Sequence, residues 1–432
     1  MLSLLPVWHI TERTFELWQL SRGCNVVYSS IRTFKKDLEV HRPHWMVLVP
    51  RVLEKVANGV QAKFSEGSSV KRSIVNIATF ANSAKAESER VLRGLVNSRE
   101  KPSLVTKIVA LVTSLAVSPL SSIGNKLVYS KVQAGFGGRQ KLIISGGSAL
   151  SGKLEKFYST AGVDISVGYG LTETSPLIAF RRSDANLKTG GCVGKPCYDT
   201  HFRIIHEDSG EEVREGEVGV VTVRGPQVMR GYYKNQEATD AAIDRNGFFN
   251  TGDLGRINLS TGDLILTGRS KDTIVLNNGE NIEPLPIEDA IANIDLIDQV
   301  MLVGDERKAC TAVCVLNLAV MAEKGLMATG ESERLNALVE IMNDPKFDGT
   351  KIASAQKELI AVGEKIRLEG KIGKVVNDSL KQCTGVEGGF RKWEKVAESY
   401  LLVEPFAMSN SLLTQSFKIK RNSIAERYGG EF

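Results

Sequence analysis

At 432 residues the chain is too long for one ordinary hydrophobic core and reads as two or more domains. Its 42% hydrophobic and 24% charged residues are those of an ordinary globular protein, and 55 basic against 50 acidic residues leave only +5, so no charge-driven nucleic-acid partner is implied. Six cysteines without a CxxC pair and five histidines without HExxH spacing argue against a disulfide scaffold and against a structural metal, and Cys192 and Cys197 read as free thiols rather than zinc ligands.

The apolar start, Met1-Leu-Ser-Leu-Leu-Pro-Val-Trp8, has no basic lead-in and runs straight into Thr11-Glu-Arg13, which argues against a signal peptide. Pro43-His-Trp-Met-Val-Leu-Val-Pro50 predicts a short buried strand, and residues 51–64 continue with helical spacing, the texture of an α/β layer. Residues 67–103 are polar, lysine-rich and predicted helical. The apolar run 108–118, between Lys107 and Pro119, is too short to cross a bilayer unaided. It reads either as an interfacial, membrane-touching segment or as a buried helix, and the buried helix is preferred.

Lys141-Leu-Ile-Ile-Ser145 predicts a strand that ends at Gly146-Gly147, with a helix over 152–160. Between them, Gly147-Ser-Ala-Leu-Ser-Gly-Lys153 fits the first seven positions of the GxxxxGK phosphate loop. Residue 154 is Leu, where that loop needs a Ser or Thr hydroxyl for Mg²⁺. A P-loop NTPase is therefore the weaker reading.

After the alternating apolar residues of 163–167 comes Gly168-Tyr-Gly-Leu-Thr-Glu-Thr-Ser175, which sets glycines, an aromatic ring, hydroxyls and a carboxylate at a strand end. The glycines permit close backbone approach, the Tyr169 ring can lie on a base, the Thr172 hydroxyl can reach a phosphate, and Glu173 can hold Mg²⁺. Residues 193–266 change to short β-like runs separated by glycine and acidic turns, predicting a small β-rich subdomain. Within it lies Asn250-Thr-Gly-Asp253, whose carboxylate could grip two ribose hydroxyls and which in isolation reads as a plain turn.

Gly268-Arg-Ser-Lys-Asp-Thr-Ile-Val275 and Asn278-Gly-Glu-Asn-Ile-Glu-Pro284 follow, and Leu413-Thr-Gln-Ser-Phe-Lys-Ile-Lys-Arg421 closes the series. After Gly268 the pattern is α+β, so the predicted boundary falls near Arg269. The expected domains are 1–269 and 270–432, the second with a polar helical insertion over about 325–395.

Five motifs in this order resemble the adenylate-forming, AMP-binding superfamily, and within it the long-chain acyl-CoA and acyl-ACP synthetases. The resemblance runs from Leu2 to Arg421 and is loose over 60–140 and 325–395. It implies ATP and Mg²⁺, a long-chain fatty acid, and coenzyme A or acyl carrier protein as thiol acceptor. It also implies nucleotide contacts from Gly146, Gly147, Ser148, Tyr169, Gly170, Asp253 and Arg269, phosphate and metal roles for Thr172 and Glu173, and a hinge at Lys271. Gly279 would let a pantetheine arm pass, although a simple hairpin turn explains it equally well. Lys418 matches the catalytic lysine, with Lys420 as the alternative, because Phe417 stands where the family has Gly. Trp8 and His9 correspond to the border of the acyl tunnel, and a core Trp with a hydrogen-bonded His is the rival reading.

Nothing from Met1 onward matches the Ser/Thr/Gly-rich phosphate loop ending in Pro-Lys-Gly that family members carry before the Trp8 segment. The expectation is accordingly a chain lacking its N-terminal part. Its fold would be the remainder of a large α/β domain with a β-rich subdomain, followed by a small mobile α+β domain, and its activity would be in doubt. A non-catalytic product that binds AMP, acyl groups or a partner protein is the alternative, and the compartment is left open between cytoplasm and plastid, with or without peripheral membrane contact.

Overall fold

The computed structural model describes all residues except 66–68, 97–100, 183–185, 187–189, 345–346, 397, 416 and 432. It divides into two compact units, Met1–Thr267 and Gly268–Phe432.

The first unit is built on a sheet of eleven strands. In chain order these are β1 (Leu2–Ser3), β2 (Val27–Tyr28), β3 (Trp45–Leu48), β4 (Leu142–Ser145), β5 (Ile165–Gly170), β6 (Leu177–Arg181), β7 (Cys192–Pro196), β8 (His201–Ile205), β9 (Gly219–Arg224), β10 (Phe249–Ile257) and β11 (Leu264–Arg269). Their spatial order is β2-β1-β3-β4-β5-β6-β7-β11-β10-β9-β8. The first five pair in parallel, and pairing turns antiparallel at β5–β6. Parallel strands need crossovers, and the helices Ile10–Ser21, Phe34–His41 and Gly152–Thr160 supply them.

Near-continuous apolar runs let these strands bury side chains on both faces. Met46, Leu48 and Ile143 are solvent-free and share one core with Leu53 and Tyr158, whose hydroxyl donates to the Leu53 carbonyl at 2.6 Å. Burying each aliphatic side chain contributes about 1.5–3 kcal/mol. One ion pair is buried against this core, Arg181 Nη2 to Glu155 Oε1 at 2.8 Å.

Between β3 and β4 the chain makes a helical hairpin, Ser69–Arg93 and Leu104–Gly124, the second helix capped by Ser103 Oγ accepting from Thr106 N–H. The preferred reading of 108–118 as a buried helix is corrected here. Ile108, Val112 and Leu115 are all at least 60% exposed, because the helix packs on its neighbour through small residues instead.

The second unit holds a β-hairpin, β12 (Ile274–Val275) with β13 (Asn281–Ile282), and a three-stranded sheet of β14 (Ile297–Val303), β15 (Thr311–Leu316) and β16 (Glu398–Leu402). Alternate residues of that sheet feed two separate cores, as a period of two requires. Leu302 and Cys314 join Ile287, Leu359 and Val376 on one face, and Met301 and Val313 join Phe406 and Ile424 on the other. Helices Thr329–Asn343, Gly349–Glu369 and Lys371–Cys383 lie between β15 and β16 in sequence. The C-terminal helix Arg421–Tyr428 is fastened by the buried Glu404, which accepts from Gln356, Asn410, Arg427 and the Tyr428 hydroxyl at 2.7–3.0 Å.

Candidate functional site

In the first unit the predicted residues Gly146, Gly147, Ser148, Tyr169, Gly170, Thr172 and Glu173 lie at the C-terminal ends of β4 and β5, next to the point where pairing turns antiparallel. Open α/β sheets bind ligands at such strand ends. After β4 the chain passes through Gly146 into Gly147, whose φ of +85° is a conformation that favours glycine, and Gly147 and Ser148 are exposed. A methyl group on Gly146 would lie 3.4 Å from the Gly168 carbonyl, so the two glycine segments are in contact. Ser151 then caps the helix Gly152–Thr160, and Leu154, at the position a P-loop reserves for a hydroxyl, is buried in the core.

After β5, residues 172–174 form one tight turn in which Thr174 Oγ1 accepts from Leu171 N–H at 3.0 Å and donates to the Pro176 carbonyl at 2.7 Å. That turn leaves Thr172 exposed and Glu173 half-buried. It also passes so close to Gly170 that a side chain there would collide with the Pro176 carbonyl.

Tyr169 is buried, and its hydroxyl donates to Asp253 Oδ2 at 2.6 Å. Asp253 does not lie in the plain turn that Asn250-Thr-Gly-Asp253 suggests in isolation. It sits inside β10 at a shift in register against β9, a bulge of the kind that re-aims a side chain. Its N–H donates to Thr251 Oγ1 at 3.1 Å, and that hydroxyl donates to the Val221 carbonyl at 2.7 Å.

Sequence reasoning missed the partner of Glu173. Tyr232 donates to Glu173 Oε1 at 3.1 Å, and Met229 N–H donates to the Glu173 carbonyl at 2.8 Å. The loop Gly225-Pro-Gln-Val-Met-Arg-Gly-Tyr-Tyr-Lys234 thus braces the acidic turn. Burial and the neighbouring carboxylate both push the Tyr232 phenol upward in pKa, so it stays a proton donor at neutral pH. Glu173 and Thr172 together present only oxygen ligands, which suit a hard cation such as Mg²⁺.

Near the start, His9 caps the helix Ile10–Ser21 through Nδ1, which accepts from Thr11 N–H at 3.3 Å. Trp8 is 65% exposed, so the core-Trp reading fails, whereas the hydrogen-bonded His is what the structure contains.

In the second unit Arg269 is exposed at the end of β11, and Lys271 is exposed in the short turn Ser270–Asp272. Gly279 (φ +82°) closes the β12–β13 hairpin, donating to the Leu276 carbonyl at 2.8 Å, and the space beside its Cα is open. Lys418 and Lys420 are exposed on a loop closed by Thr414 N–H donating to the Lys418 carbonyl at 2.8 Å. Ser416 of that motif lies outside the described residues. Phe417 adopts φ +61°, the left-handed conformation that glycine reaches without strain.

Arg421 is not part of a solvated basic face. It is bound bidentately by Glu288, with Nη1 to Oε1 at 2.8 Å, and its Nε lies 3.5 Å from Asp272 Oδ2. Glu288 also accepts from Leu302 N–H at 2.7 Å. Arg421 therefore ties the end of the Lys418 loop to the turn that carries Lys271.

Comparison with known proteins places the chain in a family. The AMP-binding enzyme family matches residues 1–233, and the AMP-binding enzyme C-terminal domain matches residues 271–366. The chain is 34% identical to a probable acyl-activating enzyme 16, chloroplastic, of Arabidopsis thaliana, over all of this chain and 57% of that protein. It is 31% identical to the long-chain-fatty-acid–[acyl-carrier-protein] ligase AEE15, chloroplastic, of the same plant, over all of this chain and 55% of the relative. Identity to the long-chain-fatty-acid–CoA ligase FadD15 of Mycobacterium bovis is 30%, over all of this chain and 61% of the relative. The chain thus spans well under two thirds of the length of these relatives. In fold it is similar to the adenylation domain of a carboxylate reductase from Mycobacterium chelonae, with a TM-score of 0.61 at 20% identity, covering all of this chain and 53% of that one.

These matches correct two expectations. The expectation of a large domain lacking its N-terminal part is corrected by the AMP-binding enzyme family match, which runs from residue 1 to residue 233. Both parts of the two-domain architecture are matched.

Proposed function

Because the chain belongs to the AMP-binding enzyme family, we propose that it activates a long-chain fatty acid with ATP and passes the acyl group to a pantetheine thiol. A carboxylate oxygen of the acid bonds to the α-phosphorus while the bond to pyrophosphate breaks. The thiol then attacks the acyl carbonyl, loses its proton, and AMP departs with the bonding pair. The observation that carries this reading is the contact between the Gly146 and Gly168 segments of β4 and β5, with Tyr169 hydrogen-bonded to Asp253 in the β10 bulge.

Phosphoryl chemistry of this kind needs positioning and charge neutralisation more than covalent help. Gly146, Gly147, Ser148 and Gly170 offer backbone that a nucleotide can approach closely. Asp253, oriented by Tyr169, accepts from the ribose hydroxyls, and Arg269 adds a fixed fork of donors for ribose or phosphate oxygens. Thr172 contacts phosphate. Mg²⁺, held by Glu173 with Thr172 beside it, would supply neutralisation of phosphate charge. Tyr232 holds Glu173 in place for that role. Lys418 is the cation for the acyl carboxylate and α-phosphate as charge builds, with Lys271 as the pivot and Gly279 beside the pantetheine path. Trp8 and His9 border the acyl path.

Relatives named as ligases of long-chain fatty acids support the acid class, and both acceptors, acyl carrier protein and coenzyme A, occur among their names. Two of the relatives are named chloroplastic, which favours a plastid over the cytoplasm. Buried Leu154 weighs against a P-loop NTPase.

The test is pyrophosphate release by the chain with ATP and palmitate, with coenzyme A or acyl carrier protein added. The expected result is release that depends on the acid and is lost in Lys418→Ala while AMP binding survives. AMP binding without release in the wild type would instead support a non-catalytic nucleotide-binding protein. Acid-independent hydrolysis lost in Lys153→Ala would support the P-loop reading.

A further inference from the structure

The hairpin Ser69–Arg93 and Leu104–Gly124 is inside out for a protein surrounded by water. The second helix turns small residues toward the first, with Ala110, Ser121 and Gly124 buried. At Gly124 the helices are so close that a methyl group would lie 2.7 Å from Ala78 Cβ. The large aliphatics point the other way, and Val105, Ile108, Val112, Leu115 and Ile123 are all more than half exposed. Packing through small residues, with branched side chains outward, is how helices associate in lipid.

The span Leu104–Gly135 is long and apolar enough to cross a membrane, and only 11% of its most apolar window is buried. Lys107 is the one charged residue in Leu104–Gly124. Its partner helix, however, carries Lys71, Arg72, Lys85, Glu87, Glu89, Arg90 and Arg93, too many charges to pass through hydrocarbon. The partner helix also exposes Val70, Ile74, Ile77 and Phe80 at helical spacing.

We propose that this hairpin docks the protein on an anionic lipid bilayer, with the outward face of Leu104–Gly124 sunk into the interface and the charged helix at headgroup level. Charge selects the occupant. Residues 69–124 hold eight Lys and Arg against three Glu, an excess of five, which equals the excess of the whole chain. The positive charge of the chain is therefore concentrated on the hairpin. That charge attracts anionic headgroups and repels a second copy of the same hairpin. The inference does not depend on the ligase reading, because it concerns the surface alone.

The full chain would be floated with vesicles of phosphatidylcholine, and of phosphatidylcholine mixed with phosphatidylglycerol, beside an Ile108→Glu/Leu115→Glu variant. Both substitutions fall on exposed positions, and an unchanged thermal melt would verify folding. Wild type should float, more strongly on the anionic vesicles and less in high salt, and the variant should lose about tenfold in partition. Equal flotation of wild type and variant overturns the proposal, as does wild type that floats with neither vesicle. So does a concentration-dependent dimer in sedimentation that the variant abolishes without any lipid binding, because a second copy would then cover the face. Should the variant fail to melt like wild type, Arg72→Glu/Arg93→Glu serves instead, and undiminished binding to anionic vesicles overturns the proposal.

Discussion

Tyr169 and Asp253, 84 residues apart, share a 2.6 Å hydrogen bond in which the phenol donates to Oδ2 of the carboxylate. The bond joins the end of β5 to the bulge in β10, and so fixes how a carboxylate from the antiparallel half of the sheet faces the strand ends of the parallel half. An Asn at 253 keeps one acceptor for Tyr169 but loses the second carboxylate oxygen. Asp253→Asn should therefore leave the melting temperature nearly unchanged and weaken AMP binding by about tenfold or more, the value of one charge-assisted hydrogen bond. Tyr169→Phe should do the reverse in stability, costing about 1–3 kcal/mol by removing a donor from a buried carboxylate. Calorimetric titration with AMP and a thermal melt read both. Wild-type AMP affinity in Asp253→Asn would remove the ribose role.

Gly170 and Gly146 differ in what surrounds them, and that difference predicts unequal tolerance. A side chain on Gly170 runs into the Pro176 carbonyl, which is backbone and cannot swing aside, whereas one on Gly146 meets the Gly168 carbonyl at ordinary contact distance. Gly170→Ala should cost about 1–3 kcal/mol, the range for forcing extra atoms into packed structure. Gly146→Ala should fold with nearly wild-type stability. Urea denaturation of both variants is the measurement, and equal midpoints would show that the turn at 172–174 yields freely.

The motifs around these glycines were legible in the sequence because strand ends and turns are specified locally, by apolar alternation followed by residues with unusual backbone freedom. Their partners were not. Tyr232 lies 59 residues from Glu173, and Arg421 lies 133 residues from Glu288, so no local pattern announces either contact. The helix at 108–118 was misjudged for a different reason. Its aliphatic composition suits a core as well as a lipid face, and only the small residues packed against Ala78 reveal which side is inward.

Arg421 offers a test of how the Lys418 loop is held. Removing the guanidinium strands the carboxylate of Glu288, which is mostly shielded from water. Because Arg421 itself is partly exposed, Arg421→Ala should cost less than the roughly 3–5 kcal/mol of a fully buried pair. Adding Glu288→Gln should recover part of that loss. If the pair positions the loop, Arg421→Ala slows pyrophosphate release while AMP affinity holds. A fall in AMP affinity of the same size as the fall in rate would mark Arg421 as a purely structural residue.

Phe417 makes an inverted prediction. Its φ of +61° costs about 1–2 kcal/mol for any residue with a Cβ. Its half-buried ring returns part of that by packing against the small core of Phe406 and Ile424. Phe417→Ala loses the ring and keeps the strain, whereas Phe417→Gly loses the ring and the strain together. Glycine should therefore be the more stable of the two variants despite removing more atoms, by about 1 kcal/mol. Melting temperatures of the pair decide it, and alanine melting higher would mean that the loop leaves the left-handed conformation in solution.

Glu12 sets a pH dependence whose sign is opposite to that of most carboxylates. It is buried in the first turn of the helix Ile10–Ser21, and desolvation outweighs help from Ser3, raising its pKa from 4.5 to about 7. A carboxyl that holds its proton more tightly when folded favours the native state below its unfolded pKa. That advantage shrinks as pH rises from about 4.5 through 7, and above 7 the protein must bury an ionised group. At about 1.4 kcal/mol per pH unit between the two values, the loss is at most about 3.5 kcal/mol. Glu12→Gln carries no titrating proton, so the stability difference between wild type and this variant should grow against wild type from pH 5 to pH 8. Chemical denaturation across that range measures it. Parallel pH profiles would show that Glu12 ionises in the folded protein at the same pH as in the unfolded chain.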